Sequence, residues 1–218
     1  MPSTLTFRIE LLDTEPLVAR TFKASPDMSM YQFHFIVQIV MGWHNCHLYQ
    51  LDVEDLRIRV KLPWDDDKYG LKDHKEVTVG KVFTKVGSEA NYMYDHTWYH
   101  SIVCVDISTS TATTEALPTV VSGENACPPE DCGGSDGFEE LVEILKNPKH
   151  SEYYDKLEWL EDVMGLENYD PKYYSVEMVN DELGDLDQHI LRHEYYRNMY
   201  RRRSVWSRYS GDVNITHY

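Results

Sequence analysis

Cys127 and Cys132 bracket Pro128-Pro129-Glu130-Asp131 and run into Gly133-Gly134. Four intervening residues let two thiolates reach one tetrahedral zinc ion, with His47 and His100, or His44 and Cys46, as further ligands if the fold gathers them. No second pair repeats the spacing. Zinc is therefore weakly specified, no other cofactor is implied, and the plainer reading is a rigid loop with small buried cysteines. A second set, Asp95, His96 and His100 with Glu130 and Asp131, has the chemistry to hold a cation or move protons. Polar side chains packed around Trp98 would account for the same residues. Gly133-Gly134 reads as a tight turn leading to Ser135 or Asp136 as helix N-cap. A phosphate cradle is disfavoured, because no P-loop lysine follows and two acids precede. The candidate functional surface is thus His47, Asp95, Trp98, His100, Glu130, Asp131, Gly133 and Gly134, and the candidate metal set is Cys127, Cys132, His47 and His100. No Gly-x-Ser-x-Gly elbow occurs, and Glu130 and Asp131 would raise the pKa of neighbouring thiols. No catalytic residue is assigned, and the chain reads as a binding protein more than as an enzyme.

Charge adds one more feature. Arg197, Arg201, Arg202, Arg203 and Arg208 interleave with Tyr195, Tyr196, Tyr200 and Trp206. Six arginines against Glu194 alone give residues 192–208 a charge of +5, and the −16 of the whole chain leaves −21 for the rest. Arginine among aromatics suits single-stranded nucleic acid. A helix with acids first and arginines last also suits the helix dipole, and it would dock on its own acidic body or on a partner subunit. A protein partner or self-association is expected, with nucleic acid only through this basic segment, since the acidic remainder repels phosphate. No run approaches the roughly 18 apolar residues of a membrane span, and residues 1–20 lack the apolar core of a signal peptide. The four cysteines are few and scattered, which fits a reducing cytoplasm.

The elements that must position these groups follow from periodicity. Leu5, Phe7, Ile9 and Leu11 alternate as a strand, turning at 13–16 into a second through Val18 to Phe22. Ser29 and Gln32 are spaced as a capping box, and Gly42 closes the helix between them. Strands follow around 47–60 and in two runs meeting near Asp95 to Thr97, with 77–86 ambiguous between strand and short helix. Residues 109–114 read as a surface connection. After the Cys-Pro-Pro loop come helices around 138–145 and 153–164 and a long helical pattern from about Val176 towards Arg203. This order predicts an α+β fold: a mostly antiparallel sheet with one packed helix, followed by a helical C-terminal half. Residues 1–183 form the α+β domain and 184–218 a helical, Arg/Tyr-rich extension.

Several blocks are similar to one family. Met41-Gly42-Trp43 with His47-Leu48, the Gly123 to Gly134 loop, Gly137-Phe138-Glu139-Glu140-Leu141, Asn147-Pro148-Lys149-His150, Asp170-Pro171 and Asn180 to Leu183 together resemble the plasmid ORF-3-like family. That family is named for an open reading frame on a root-inducing plasmid and also travels beside insertion sequences. The likeness covers residues 4–183. It implies a fold and motif positions rather than a reaction. The leading expectation is a non-catalytic binding or accessory protein of plasmids or mobile elements. A metal-dependent enzyme such as a hydrolase, using the His/Asp/Cys cluster, is the alternative, and an acidic mimic of nucleic acid the third. One departure stands out: family members carry Tyr-Asp-Phe-Gly-Asp before the Trp-x-His, whereas this chain reads Tyr94-Asp95-His96-Thr97-Trp98-Tyr99-His100. A site needing the missing second carboxylate at that tip would be impaired.

Overall fold

The alternating apolar residues of β1 (Thr4–Leu11) all turn inward, and β1 pairs antiparallel with β2 (Val18–Ala24) from Leu5↔Ala24 to Leu11↔Val18. The computed structural model describes residues 3–62, 65, 70–109 and 116–209, with side chains through 197. It divides into two compact units, Met1–Gly184 and Asp185–Tyr218.

In the first unit, β3 (Tyr49–Val53), β4 (Leu56–Arg59), β5 (Leu71–Asp73), β6 (Glu89–Tyr94), β7 (Trp98–Ser108) and β8 (Thr119–Glu124) complete an eight-stranded sheet of order β5-β4-β3-β6-β7-β1-β2-β8. The central neighbours pair antiparallel, while β4 and β5 run parallel. Helix α1 (Met30–Met41) starts at the expected capping box, with Ser29 and Gln32 reciprocally bonded, and ends at Gly42 in the left-handed conformation. Its Phe33 lies 5.0 Å from Phe7 and 5.7 Å from Phe22, centroid to centroid, and Phe83 closes the cluster. Burying each such ring contributes roughly 2–3 kcal/mol. The ambiguous segment 77–86 contains the short helix α2 (Val79–Val82).

The rest of this unit comprises α3 (Gly134–Leu145), α4 (Tyr153–Glu158) with a π-helical continuation over Trp159–Val163, and α5 (Val176–Gly184). The second unit contains α6 (Leu186–Tyr209). No helix among the described residues is long and apolar enough to cross a membrane.

The fold expectation is corrected in three respects. The sheet, expected to be mostly antiparallel with one packed helix, is mixed, because the three-residue β5 returns parallel to β4, and α5 joins α1 against it. Three residues carry too little pattern to read as a strand. The C-terminal half is not purely helical either, since β8 forms the sheet edge beside β2. Its sequence, TVVSGE, follows a Ser/Thr-rich stretch and has only two adjacent valines to mark it. Asn180 of α5 covers that edge, accepting from Val120 N–H (2.7 Å) and Thr119 Oγ1 (3.0 Å) and donating to Val120 O (3.0 Å). A side-chain amide thus substitutes for the next strand on an otherwise unpaired ladder. Finally, the N-cap of α3 is Gly133 rather than Ser135 or Asp136.

Candidate functional site

The left-handed Gly42 ends α1 and sends the chain towards the Cys-Pro-Pro loop. Trp43 donates its indole N–H to Pro128 O (3.0 Å) and stacks on Tyr94 (4.8 Å between centroids). Glu130, buried in this interface, accepts from the His44 backbone N–H and from Nδ1 of its ring (3.0 Å each), and from the Tyr94 hydroxyl (2.5 Å). The Tyr94 oxygen in turn accepts the N–H groups of Cys46 (3.0 Å) and His47 (3.3 Å). Burial alone would raise the Glu130 carboxyl, but the bonds from His44 and Tyr94 outweigh it and hold it below the ordinary value. The Glu130 bond raises His44 in return.

This network ties together the two family-like blocks, Met-Gly-Trp and the Cys-Pro-Pro loop, and sets three side chains around one point. His47 leaves the anchored segment. Asp95 follows Tyr94 at the tip of the β6–β7 hairpin, with its N–H bonded to Leu48 O (3.0 Å). Asp131 follows Glu130. His47 Nδ1 lies 3.2 Å from Asp95 Oδ1, and His47 Nε2 lies 3.2 Å from Asp131 Oδ1. One ligand atom from each of the three residues lies within 4.8 Å of the other two. His47 Nε2 is shielded from solvent and, despite its distance from Asp131, lacks hydrogen-bond alignment with any partner. Asp95 (φ 53°) and Asp131 (φ 60°) both occupy left-handed backbone. That conformation is disfavoured for residues with a Cβ and persists where the surroundings over-determine it.

Two ligands about 2.1 Å from one ion stand roughly 3.0–3.5 Å apart at tetrahedral to octahedral angles. The two 3.2 Å His–Asp separations fall on opposite nitrogens of the ring, so a single ion would take one nitrogen of His47 and draw both carboxylates in from a set that spans up to 4.8 Å. One imidazole and two carboxylates suit a borderline or hard divalent cation such as zinc, manganese or iron(II) better than they suit a soft one.

The structure separates the sequence-derived candidates. His47, Asp95 and Asp131 converge. Trp98 and His100 lie in the core, His100 donating from Nδ1 to Tyr92 O (3.1 Å) and packing edge-on to Trp43, with burial pushing its pKa down to about 3. Among the described residues, the three-ligand group does not include His100, Cys127 or Cys132. Burial raises Cys127 and pushes Cys132 up to about 12, so both thiols stay protonated at neutral pH. His96 is an exposed turn residue. Gly133 (φ 98°) and Gly134 (φ 73°) carry the turn, and a Cβ on Gly137 would fall 2.0 Å from Cys132 O, so glycine is required there. Of the basic patch, Arg197 is half-buried on α6. Arg201, Arg202, Arg203 and Arg208 belong to α6 but lie beyond the residues whose side chains are described.

Sequence reasoning did not single out Tyr94 or His44 as anchors. The position of Tyr94 directly before Asp95 in a family-like block was the available signal. Beside Asp131 opens a cleft of about 440 Å³, bordered by Cys132, Leu141, Asp155, Lys156 and Trp159.

Comparison with known proteins relates the chain as a whole to others. The uncharacterized protein y4hQ of Sinorhizobium fredii (strain NBRC 101917 / NGR234) is 29% identical over 187 residues, spanning 84% of this chain and 92% of that protein. The crystal structure of a protein of unknown function, MM3350 from Methanosarcina mazei Go1, superposes with a TM-score of 0.70. It covers 82% of this chain and 98% of that one at 24% identity, a likeness of fold. The model of the family described as plasmid pRiA4b ORF-3-like protein matches residues 3–178. By that match over most of its length, the chain belongs to the plasmid pRiA4b ORF-3-like family.

Proposed function

We propose that this protein is a binding protein of plasmids or mobile elements, and that its binding surface is organised by one divalent cation held at His47, Asp95 and Asp131. The observation that supports it is the convergence of these three side chains from separate segments, one ligand atom of each lying within 4.8 Å of the other two. A cation there would offset two carboxylates on an acidic surface and present open positions to a partner's carboxylate or phosphate. Calorimetric titration of tag-free protein with Mn²⁺ and Zn²⁺ tests the reading. Near-stoichiometric binding that falls at least tenfold in Asp95→Asn and in Asp131→Asn is expected. Equal binding by wild type and both variants, or none, overturns it.

The cleft beside Asp131 favours metal-assisted hydrolysis as a second reading. Turnover of simple esters or phosphodiesters that requires added cation and is lost in Asp131→Asn would replace the first reading with the second.

A further inference from the structure

Arg20 is 1% exposed, yet it has no anionic partner among the described residues. Its Nε donates to Val40 O (2.8 Å), and its Nη1 donates to Ala19 O (2.8 Å) and Glu124 O (2.6 Å). None of these bonds uses Nη2. The guanidinium carbon sits 3.8 Å from the centroid of the Tyr174 ring. The Val40 carbonyl at the end of α1, two strand carbonyls and an aromatic face offset part of the cost of a buried cation. An isolated charge out of water still carries a penalty of several kcal/mol that only a counter-charge offsets fully.

The nearby acids are engaged elsewhere or exposed. The Glu124 carboxylate faces Arg8 (3.4 Å), Glu130 is held by His44 and Tyr94, and Glu182 is an exposed residue at the rim. Burial raises Cys127, Tyr169 and Tyr174, so none of them supplies the charge at neutral pH.

Arg20 borders a cavity of about 270 Å³ whose walls are mainly apolar and aromatic, among them Cys127, Met164, Tyr169, Tyr174 and Met178. A buried cation beside an apolar cavity is the pattern of a site for an amphipathic anion: the charge orients it and the walls hold its body. Glu130 and Glu182, which also border the cavity, oppose a compact multivalent anion such as phosphate. Tyrosine and methionine walls favour an aromatic body.

We propose that this cavity binds a small aryl carboxylate, its carboxylate paired with Arg20 and its ring against Tyr169, Met164 and Met178. The site is independent of the cation site, so it is tested on the full chain in the presence of EDTA. Calorimetry and thermal denaturation are run with phenylacetate, with the neutral phenylacetamide and with inorganic phosphate. Phenylacetate should bind with a saturable melting-temperature increase, with the amide and phosphate at least tenfold weaker. Met178→Trp, at a 59% exposed position on α5, should fill the cavity and abolish binding while leaving the melting temperature of the free protein near wild type. Arg20→Gln, checked for folding by circular dichroism, should bind acid and amide alike. No binding of phenylacetate, equal binding of acid and amide by wild type, or binding unchanged by Met178→Trp overturns the proposal. Asp131→Asn should retain phenylacetate binding, which separates this result from the fate of the cation site.

Discussion

Glu130 is 4% exposed and gathers His44 and Tyr94 around its carboxylate, whereas the Asp131 side chain is 69% exposed and meets His47 at 3.2 Å without a hydrogen bond. Adjacent acids in one loop thus hold opposite positions. Glu130 accepts three hydrogen bonds within the protein, so the charge fixes the loop onto the end of α1 and the β6–β7 hairpin. At Asp131 the acceptor capacity faces outward, beside an imidazole nitrogen that is shielded and unpartnered. A buried, fully satisfied carboxylate stabilises a structure, and an under-satisfied one held in strained backbone marks a place where something else can bind.

The largest way to break this contrast is Glu130→Ala. It leaves the Tyr94 hydroxyl and the His44 N–H unpaired in the interface, so stability should fall by about 3 kcal/mol. Urea denaturation measures the loss, and cation binding should fall with it because His47 hangs from the same network. Asp131→Asn should do the reverse. Stability should change by no more than about 0.5 kcal/mol, while cation affinity drops at least tenfold by titration calorimetry. If Asp131→Asn were the more destabilising of the two, the assigned roles would have to be exchanged.

The pH dependence sharpens the anchor. Glu130 is depressed in the folded state, so its contribution is present above its ordinary value near 4.5 and disappears as pH falls through the lower folded value. His44 is raised, so its contribution is complete below its ordinary value near 6.5 and fades as pH rises through the higher folded value. Stability should therefore crest between these limits, and His44→Asn should remove the alkaline decline and weaken the acid one, as read from melting temperature against pH. The smallest effect concerns the hairpin tip. His96 is exposed with φ 55°, so His96→Gly should relieve left-handed strain and stabilise by up to about 1 kcal/mol while leaving cation binding unchanged.

Much of the local structure was legible in order of residues. The β1–β2 alternation, the Ser29/Gln32 capping box, the Gly42 terminus and the hairpin around Asp95 are short-range patterns, and each depends on neighbours within a few positions. The family-like blocks also marked the loop and the α1 terminus as belonging to one design, without showing that Trp43 and His44 grip Pro128 and Glu130.

The sequence by itself determined the secondary-structure periodicities, the turn glycines, the charge asymmetry and the set of residue types from which any site had to be drawn. Tertiary structure alone decided that Trp98 and His100 go to the core, that β5 runs parallel and β8 forms an edge, and that Asp131 meets His47 and Asp95 while its neighbour Glu130 is buried. It also left Arg20 buried beside a cavity without an anionic partner among the described residues. The physical reason is that burial and electrostatic pairing depend on distances between segments far apart in the chain. Two adjacent carboxylates have the same chemistry until folding gives one of them partners and leaves the other facing water.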